Sequence, residues 1–286
     1  MEPIVYLNGK FVALKNARVS VLDRGFTHGD GLFETMRAYG GKVFRLDLHL
    51  QRLVRSAKSI DLPMPLPQVE LAAAIEKTIR KNRCPEAYVR LTVTRGTHRP
   101  GLSMDSSVPA TLAIYAEPLT PTPQKLYRRG VSIALFPATA TRTGGLQTQV
   151  KSCNYLSQII VRDMAARQNA YEGILLDGKN RVAEGAACNI FLVRDGIVKT
   201  PRLSSFVLPG ITRQTVLDIA REQGLPCFER ILKRDDLYRA DEVFLTNSMI
   251  EILPVTQADN RKVGNGKPGA ITRRLHAAYL KMIEPS

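Results

Sequence analysis

The chain has 286 residues, 44% hydrophobic and 23% charged, which gives room for about two domains with a core each and marks an ordinary globular protein. No stretch approaches the roughly 20 apolar residues of a membrane span, and Met1-Glu2-Pro3-Ile4 lacks the basic-then-apolar layout of a secretory signal, so the expectation is a cytoplasmic protein with no membrane partner. The formal charge of +15 comes as scattered pairs such as Arg80-Lys81, Arg128-Arg129 and Arg273-Arg274, without a long basic run, which argues against a nucleic-acid partner and leaves an anionic small-molecule substrate or a solvated basic surface.

In chain order, Ile4 to Leu7 and Phe11-Val12 flank Asn8-Gly9, a two-residue hairpin signal. A second hairpin is predicted with strands Leu32 to Tyr39 and Lys42 to Leu46 around Gly40-Gly41. Leu50, Leu53, Val54 and Ala57 then recur at helical spacing after Asp47, read as an N-cap, and Leu71, Ala72, Ile75 and Ile79 repeat the pattern. From Ala87 to Arg95 the chain alternates, so Tyr88 and Arg90 point the same way. Three prolines between Glu117 and Gln124 remove backbone donors and break both periodicities. Beyond them, strand signals at Val131 to Phe136, Glu172 to Leu176, Asn189 to Val193, Ile197 to Lys199 and Glu242 to Thr246 mix with helical ones at Asn154 to Arg167, Thr212 to Glu222 and Gly269 to Met282. The predicted class is α+β, with an N-terminal α/β domain over 1–117, a linker at 118–124 and a C-terminal α/β domain over 125–286. The four cysteines include no CxxC pair and the four histidines no pair at ligand spacing, so neither a disulfide framework nor a metal site is expected.

Two residues are candidates for the chemistry: Lys151, in Val150-Lys151-Ser152-Cys153-Asn154-Tyr155, and Glu184, in Val182-Ala183-Glu184-Gly185. A lysine that can form a Schiff base and a carboxylate that can hold a pyridinium nitrogen are the minimal equipment for pyridoxal phosphate chemistry, although each alone reads as a surface charge. Alternation along Leu32 to Tyr39 puts Phe33, Thr35 and Arg37 on one face, where Arg37 either meets an anion or points to solvent from an edge strand. Leu208-Pro209-Gly210-Ile211-Thr212 leads into a helix, and such a start binds phosphate or is simply capped. The turn Thr246-Asn247-Ser248-Met249 has the small polar residues that present N–H groups to an anion.

Over essentially its whole length the chain resembles the fold-type IV pyridoxal-phosphate enzymes, the class of branched-chain and D-amino-acid aminotransferases and aminodeoxychorismate lyase. The resemblance is carried, in order, by Asp23-Arg24-Gly25-Phe26 with Gly29 to Glu34, by His49 to Leu53, Lys151 to Leu156, Glu184-Gly185 with Asn189, Leu208 to Arg213, and Thr246 to Val255. It implies pyridoxal 5′-phosphate in a cleft between two domains, with Lys151, in the C-terminal domain, as the Schiff-base lysine and proton carrier. It also implies Glu184 at the pyridine nitrogen, Tyr155 at the phenolic oxygen, and Arg52, Ile211, Thr212 and Ser248 at the phosphate. A homodimer or a multiple of dimers is implied as well, and Thr139 to Thr148, rich in Gly and Thr, is a candidate lid.

Among class members the chain looks most like a branched-chain aminotransferase, which implies amino transfer between L-leucine, L-isoleucine or L-valine and 2-oxoglutarate through a Lys151 aldimine. Tyr88 and Arg90 would then bind the carboxylate, Phe33 and the region around Met249 would line part of the apolar pocket, and Arg37 would belong to the same substrate site. It departs from that pattern at Thr35, where glycine is usual, at Ser152-Cys153, which replace a double glycine, and at Thr246-Asn247-Ser248, which replace Thr-Gly-Thr. Phe33-Glu34-Thr35 and Thr246-Asn247-Ser248 also resemble aminodeoxychorismate lyases. The D-amino-acid enzymes carry tyrosine where this chain has Phe33, and an arginine and histidine after a Thr-Arg-Gly turn; here Thr94-Arg95-Gly96-Thr97 is followed by His98-Arg99-Pro100, which keeps an arginine but not the histidine after it. The non-enzymatic alternative is a cofactor-binding pseudoenzyme.

Overall fold

The computed structural model describes residues 2–98, 101–104, 107–137, 149–203 and 206–283; Arg99 and the candidate lid at 139–148 lie outside them. Contacts divide the chain into two units, one of Met1–Thr120 with Val150–Asn154, the other of Pro121–Gln149 with Tyr155–Glu284. The segment bearing Lys151 thus groups with the first unit, whereas the sequence reading assigned it to the C-terminal domain. Its backbone explains this: Phe33 N donates to Lys151 O (3.0 Å) and Cys153 N to Gly31 O (2.8 Å). The segment is stitched to a first-unit strand.

The first unit contains β1 (Ile4–Leu7), β2 (Lys10–Ala13), α1 (Arg24–His28), β3 (Gly31–Tyr39), β4 (Lys42–Val43), α2 (Leu46–Ser59), α3 (Gln68–Asn82), β5 (Ala87–Thr94) and β6 (Thr111–Pro118). The strands form one antiparallel sheet in the order β2-β1-β6-β5-β3-β4. Asn8 and Gly9 both take positive φ (47° and 88°), which the tight β1–β2 turn requires. Leu32, Met36, Val89, Leu91, Val93, Leu112 and Ile114 bury one face of the sheet against α2 and α3. The opposite face therefore carries Phe33, Thr35 and Arg37 of β3 alongside Tyr88, Arg90 and Thr92 of β5. Two local readings change. The return strand of the second hairpin stops at Val43, because Arg45 turns into the left-handed region (φ 52°) and starts α2. Asp47 consequently lies inside the first helical turn, where its charge favours the helix dipole without capping.

The second unit contains α4 (Gln124–Arg129), β7 (Val131–Pro137), α5 (Leu156–Arg167), β8 (Glu172–Leu176), β9 (Val182–Gly185), β10 (Asn189–Arg194), β11 (Ile197–Pro201), α6 (Ile211–Glu222), β12 (Cys227–Arg230), α7 (Arg234–Tyr238), β13 (Glu242–Asn247), β14 (Glu251–Ala258), β15 (Arg261–Lys262) and α8 (Ala270–Ile283). The sheet is mixed and runs β12-β11-β10-β13-β14-β7-β8-β9, with β15 paired to β14. Ile190, Leu192, Val243, Leu245 and Leu253 bury one face together with Leu126 of α4 and Leu237 of α7. The helices α6 and α8 pack on β13 but contribute nothing to that cluster, so they cover the other face, where Phe191 and Phe244 stack with centroids 4.9 Å apart. Among the described residues no helix is long and apolar enough to cross a membrane.

Candidate active site

In the first unit Lys151 Nζ lies 4.5 Å from the centroid of the Phe33 ring, and the Arg90 guanidinium carbon lies 3.6 Å from the same centroid. The antiparallel register produces this: Phe33 pairs with Thr92, Thr35 with Arg90 and Arg37 with Tyr88, so all six side chains share one face. Tyr115 joins them from β6 as the cross-strand partner of Arg90, its ring 5.9 Å from that of Tyr88. Burial, reinforced by the adjacent Tyr88, pushes the Tyr115 phenol up to about 12, so it remains a hydrogen-bond donor at neutral pH. Arg37 is only 8% exposed and stacks at 4.3 Å on Tyr39, and β3 lies between β4 and β5; the edge-strand alternative does not hold. Tyr115 escaped the sequence reading because its whole strand did.

Arg52 sits on the other face of β3. Its Nε and Nη2 donate to the two oxygens of Glu34 at 2.8 and 2.6 Å, and His49 Nδ1 lies 2.8 Å from Glu34 Oε2. All three side chains are buried. Burial alone would raise the Glu34 carboxyl, but the Arg52 charge and the bonds from His49 and Arg52 outweigh it and bring the carboxyl down to about 2. Burial lowers His49, and the charges of Arg52 and Lys151 act in the same direction. Sequence reasoning singled out Arg52 but neither partner. The His49-x-x-Arg52 spacing on a helix was the available signal, since residues three apart share a face.

In the second unit Glu184 Oε2 accepts from Leu208 N (2.7 Å) and from Asn189 Nδ2 (3.2 Å), and Asn189 Nδ2 also reaches Leu208 O (3.0 Å). Asn189 thereby ties the carboxylate to the loop before α6. Gly210 is required there, because a Cβ would sit 1.9 Å from Asn189 Oδ1. Gly210 is also the N-cap of α6; it brings no capping side chain, and no acidic residue occupies the first turn. The start of α6, with Ile211 and Thr212 buried, is therefore an uncapped positive end suited to an anion. Tyr155 is half-buried at the N-cap of α5.

The turn after β13 differs from its reading. The amides of Met249 and Ile250 donate to Asn247 Oδ1 (both 2.8 Å), so they are used within the turn, and Asn247 Nδ2 donates to Ala187 O (2.9 Å). Ser248 remains at the tip, half-buried, while Met249 packs partly on the hydrophobic cluster below. Glu251 follows in the left-handed region (φ 53°), buried, with His276 Nε2 of α8 2.8 Å from its Oε2. Tyr127 stacks on His276 at 4.8 Å and donates its hydroxyl to Ile250 O (3.2 Å).

Taken separately, each unit holds groups that suit part of pyridoxal phosphate: the second has an uncapped helix start fit for a phosphate and a carboxylate with two donors fit for a ring N–H, and the first has a lysine with its backbone anchored. The chain is a member of the class IV aminotransferases, whose family model, described as amino-transferase class IV, matches residues 31–258. It is 40% identical over 275 residues to a putative branched-chain-amino-acid aminotransferase of Methanocaldococcus jannaschii, covering 96% of this chain and 94% of that one. It is 35% identical over 282 residues to a D-alanine aminotransferase of Listeria monocytogenes, covering 98% and 96%. The crystal structure of the T.th. branched-chain amino acid aminotransferase with pyridoxamine 5′-phosphate matches at a TM-score of 0.90 and 31% identity, covering 99% of this chain and 94% of that one.

Proposed function

We propose that the chain catalyses reversible amino transfer between L-leucine, L-isoleucine or L-valine and 2-oxoglutarate with pyridoxal 5′-phosphate. The observation that carries this reading is the first-unit face on which Lys151 and Arg90 both approach Phe33, with Tyr88 and Arg37 alongside. When bound, the cofactor supplies the electron sink into which the substrate's α-carbon releases its electrons. The residues do the rest. Lys151 takes the α-proton and returns it, Glu184 keeps a proton at the pyridine nitrogen, and Tyr155 donates to the phenolic oxygen. Arg52, Ile211, Thr212 and Ser248 hold the phosphate. The cations Arg90 and Arg37, with the Tyr88 hydroxyl, recognise a carboxylate, while Phe33 and Met249 border the apolar side chain. A homodimer in the cytoplasm belongs to the same proposal, supported by the family resemblance.

The Listeria relative favours D-alanine as a second substrate class. A half-reaction panel decides between them: L-leucine, D-alanine, L-glutamate and aminodeoxychorismate are each offered to the holoenzyme, and the change in visible absorbance and the product released are recorded. L-Leucine and L-glutamate should both react. Reaction with D-alanine alone, or 4-aminobenzoate release, would overturn the assignment.

Glu184→Gln tests the pyridine-nitrogen role. Glutamine keeps an oxygen for Leu208 N and Asn189, so the thermal midpoint should stay within a few degrees. Loss of the charge that holds the ring proton should lower kcat by about 10²-fold or more, the scale seen when one preorganised electrostatic partner is removed. Wild-type kinetics in this variant would refute the role.

A further inference from the structure

Thr246, the penultimate residue of β13, is the direct cross-strand neighbour of Asn189, and it is 1% exposed. Directly opposed residues of antiparallel strands share a face, and this one also carries the stacked Phe191 and Phe244, the face covered by α6 and α8. Asn189 in turn presses its Oδ1 against Gly210, the residue before α6. Thr246 is thereby placed at the start of that helix. Its Oγ1 is buried and makes no hydrogen bond among the described residues. Buried hydroxyls are nearly always bonded, and valine would fill the same volume without an orphaned polar atom.

We propose that the Thr246 hydroxyl donates a hydrogen bond to a phosphate oxygen of pyridoxal 5′-phosphate bound at the α6 N-terminus. This rests on the reading above that Ile211 and Thr212 receive the phosphate. Two features favour the phosphate over the pyridine end. The α6 start has neither a capping side chain nor an acidic residue in its first turn, so it calls for an anion. Glu184, at the ring end, already has Leu208 N and Asn189 Nδ2 as donors.

The test uses full-length Thr246→Val and Thr246→Ser proteins, stripped of cofactor and titrated with pyridoxal 5′-phosphate and, separately, with pyridoxal, alongside calorimetry of the apo forms. For Thr246→Val the apo melting midpoint should hold or rise, since an unpaired polar atom has been replaced by a methyl. Its affinity for pyridoxal 5′-phosphate should fall about tenfold to a hundredfold, the worth of one hydrogen bond to a charged group, while affinity for pyridoxal stays the same. Thr246→Ser, which keeps the hydroxyl, should bind the cofactor nearly as wild type does. Unchanged affinity in Thr246→Val, an equal loss for both ligands, or a lower apo midpoint or failure to fold would each overturn the proposal. If the wild type itself prefers pyridoxal 5′-phosphate over pyridoxal by no margin, the phosphate site at α6 fails, and this inference falls with it for that separate reason.

Discussion

Replacing Lys151 with alanine should lower transamination by at least about 10³-fold, because a positioned proton carrier supplies roughly 10² to 10⁴ of the rate and, in the proposed function, this residue also forms the covalent link to the cofactor. The fold should survive. The segment is fixed through its backbone, by Phe33 N to Lys151 O and Cys153 N to Gly31 O, and alanine leaves both bonds in place. The side chain is half-buried and lies against the Phe33 ring, a cation–π interaction worth about 0.5–1 kcal/mol where exposed. Single-turnover assays with L-leucine, set against circular-dichroism melting, separate the two effects. Substantial turnover in the variant would remove Lys151 from the centre of the mechanism and reopen the pseudoenzyme reading.

The second large effect is structural. Glu34→Gln should cost about 3–5 kcal/mol of stability, since breaking a buried ion pair leaves the partner charge on Arg52 uncompensated. Urea unfolding midpoints measure this, and a change below about 1 kcal/mol would show that the pair is not what stabilises the α2–β3 packing. The same group sets an acid limit. A carboxyl lowered from 4.5 to about 2 stabilises the fold fully above pH 4.5 and loses that contribution as pH falls through 2. His49 adds to it from higher pH: a histidine held below its ordinary 6.5 in the folded state takes up its proton more readily when unfolded, so stability begins to fall as pH drops below 6.5. Wild-type unfolding free energy should decline from about pH 6.5 downward, and the part of the decline below pH 4.5 should be shallower in Glu34→Gln.

Alternation along β3 was readable because each residue's face follows from a period of two, and it correctly separated Phe33, Thr35 and Arg37 from Leu32, Glu34 and Met36. What it did not contain was the partner of Glu34. His49 and Arg52 are 15 and 18 residues away, and their approach is decided by how α2 packs on the sheet. Prolines bear on two of the strands. The strand β6 was not read from the sequence, and its last residue, Pro118, falls in the linker placed at 118–124, although its pairing with β5 extends from Ala87↔Pro118 to Thr94↔Thr111. Pro254 argues against a central strand, yet β14 lies between β13 and β7; pairing with β7 begins only at Val255, so the missing donor falls before that ladder. The cofactor residues were proposed through family resemblance, while the contacts of Asn189 and His49 and the orphaned hydroxyl of Thr246 became visible only in the tertiary structure.

The residue after the Ser248 turn has a wider meaning. Glu251 occupies a backbone region that costs a side-chain-bearing residue of order 1–3 kcal/mol, and it does so buried, paired to His276 beneath Tyr127. That expense, and the loss of freedom of the turn itself, are charged to folding. The phosphate proposed for Ser248 would therefore meet a turn already ordered by folding and cost the protein little conformational entropy on binding, so more of its contact energy would be expressed as affinity.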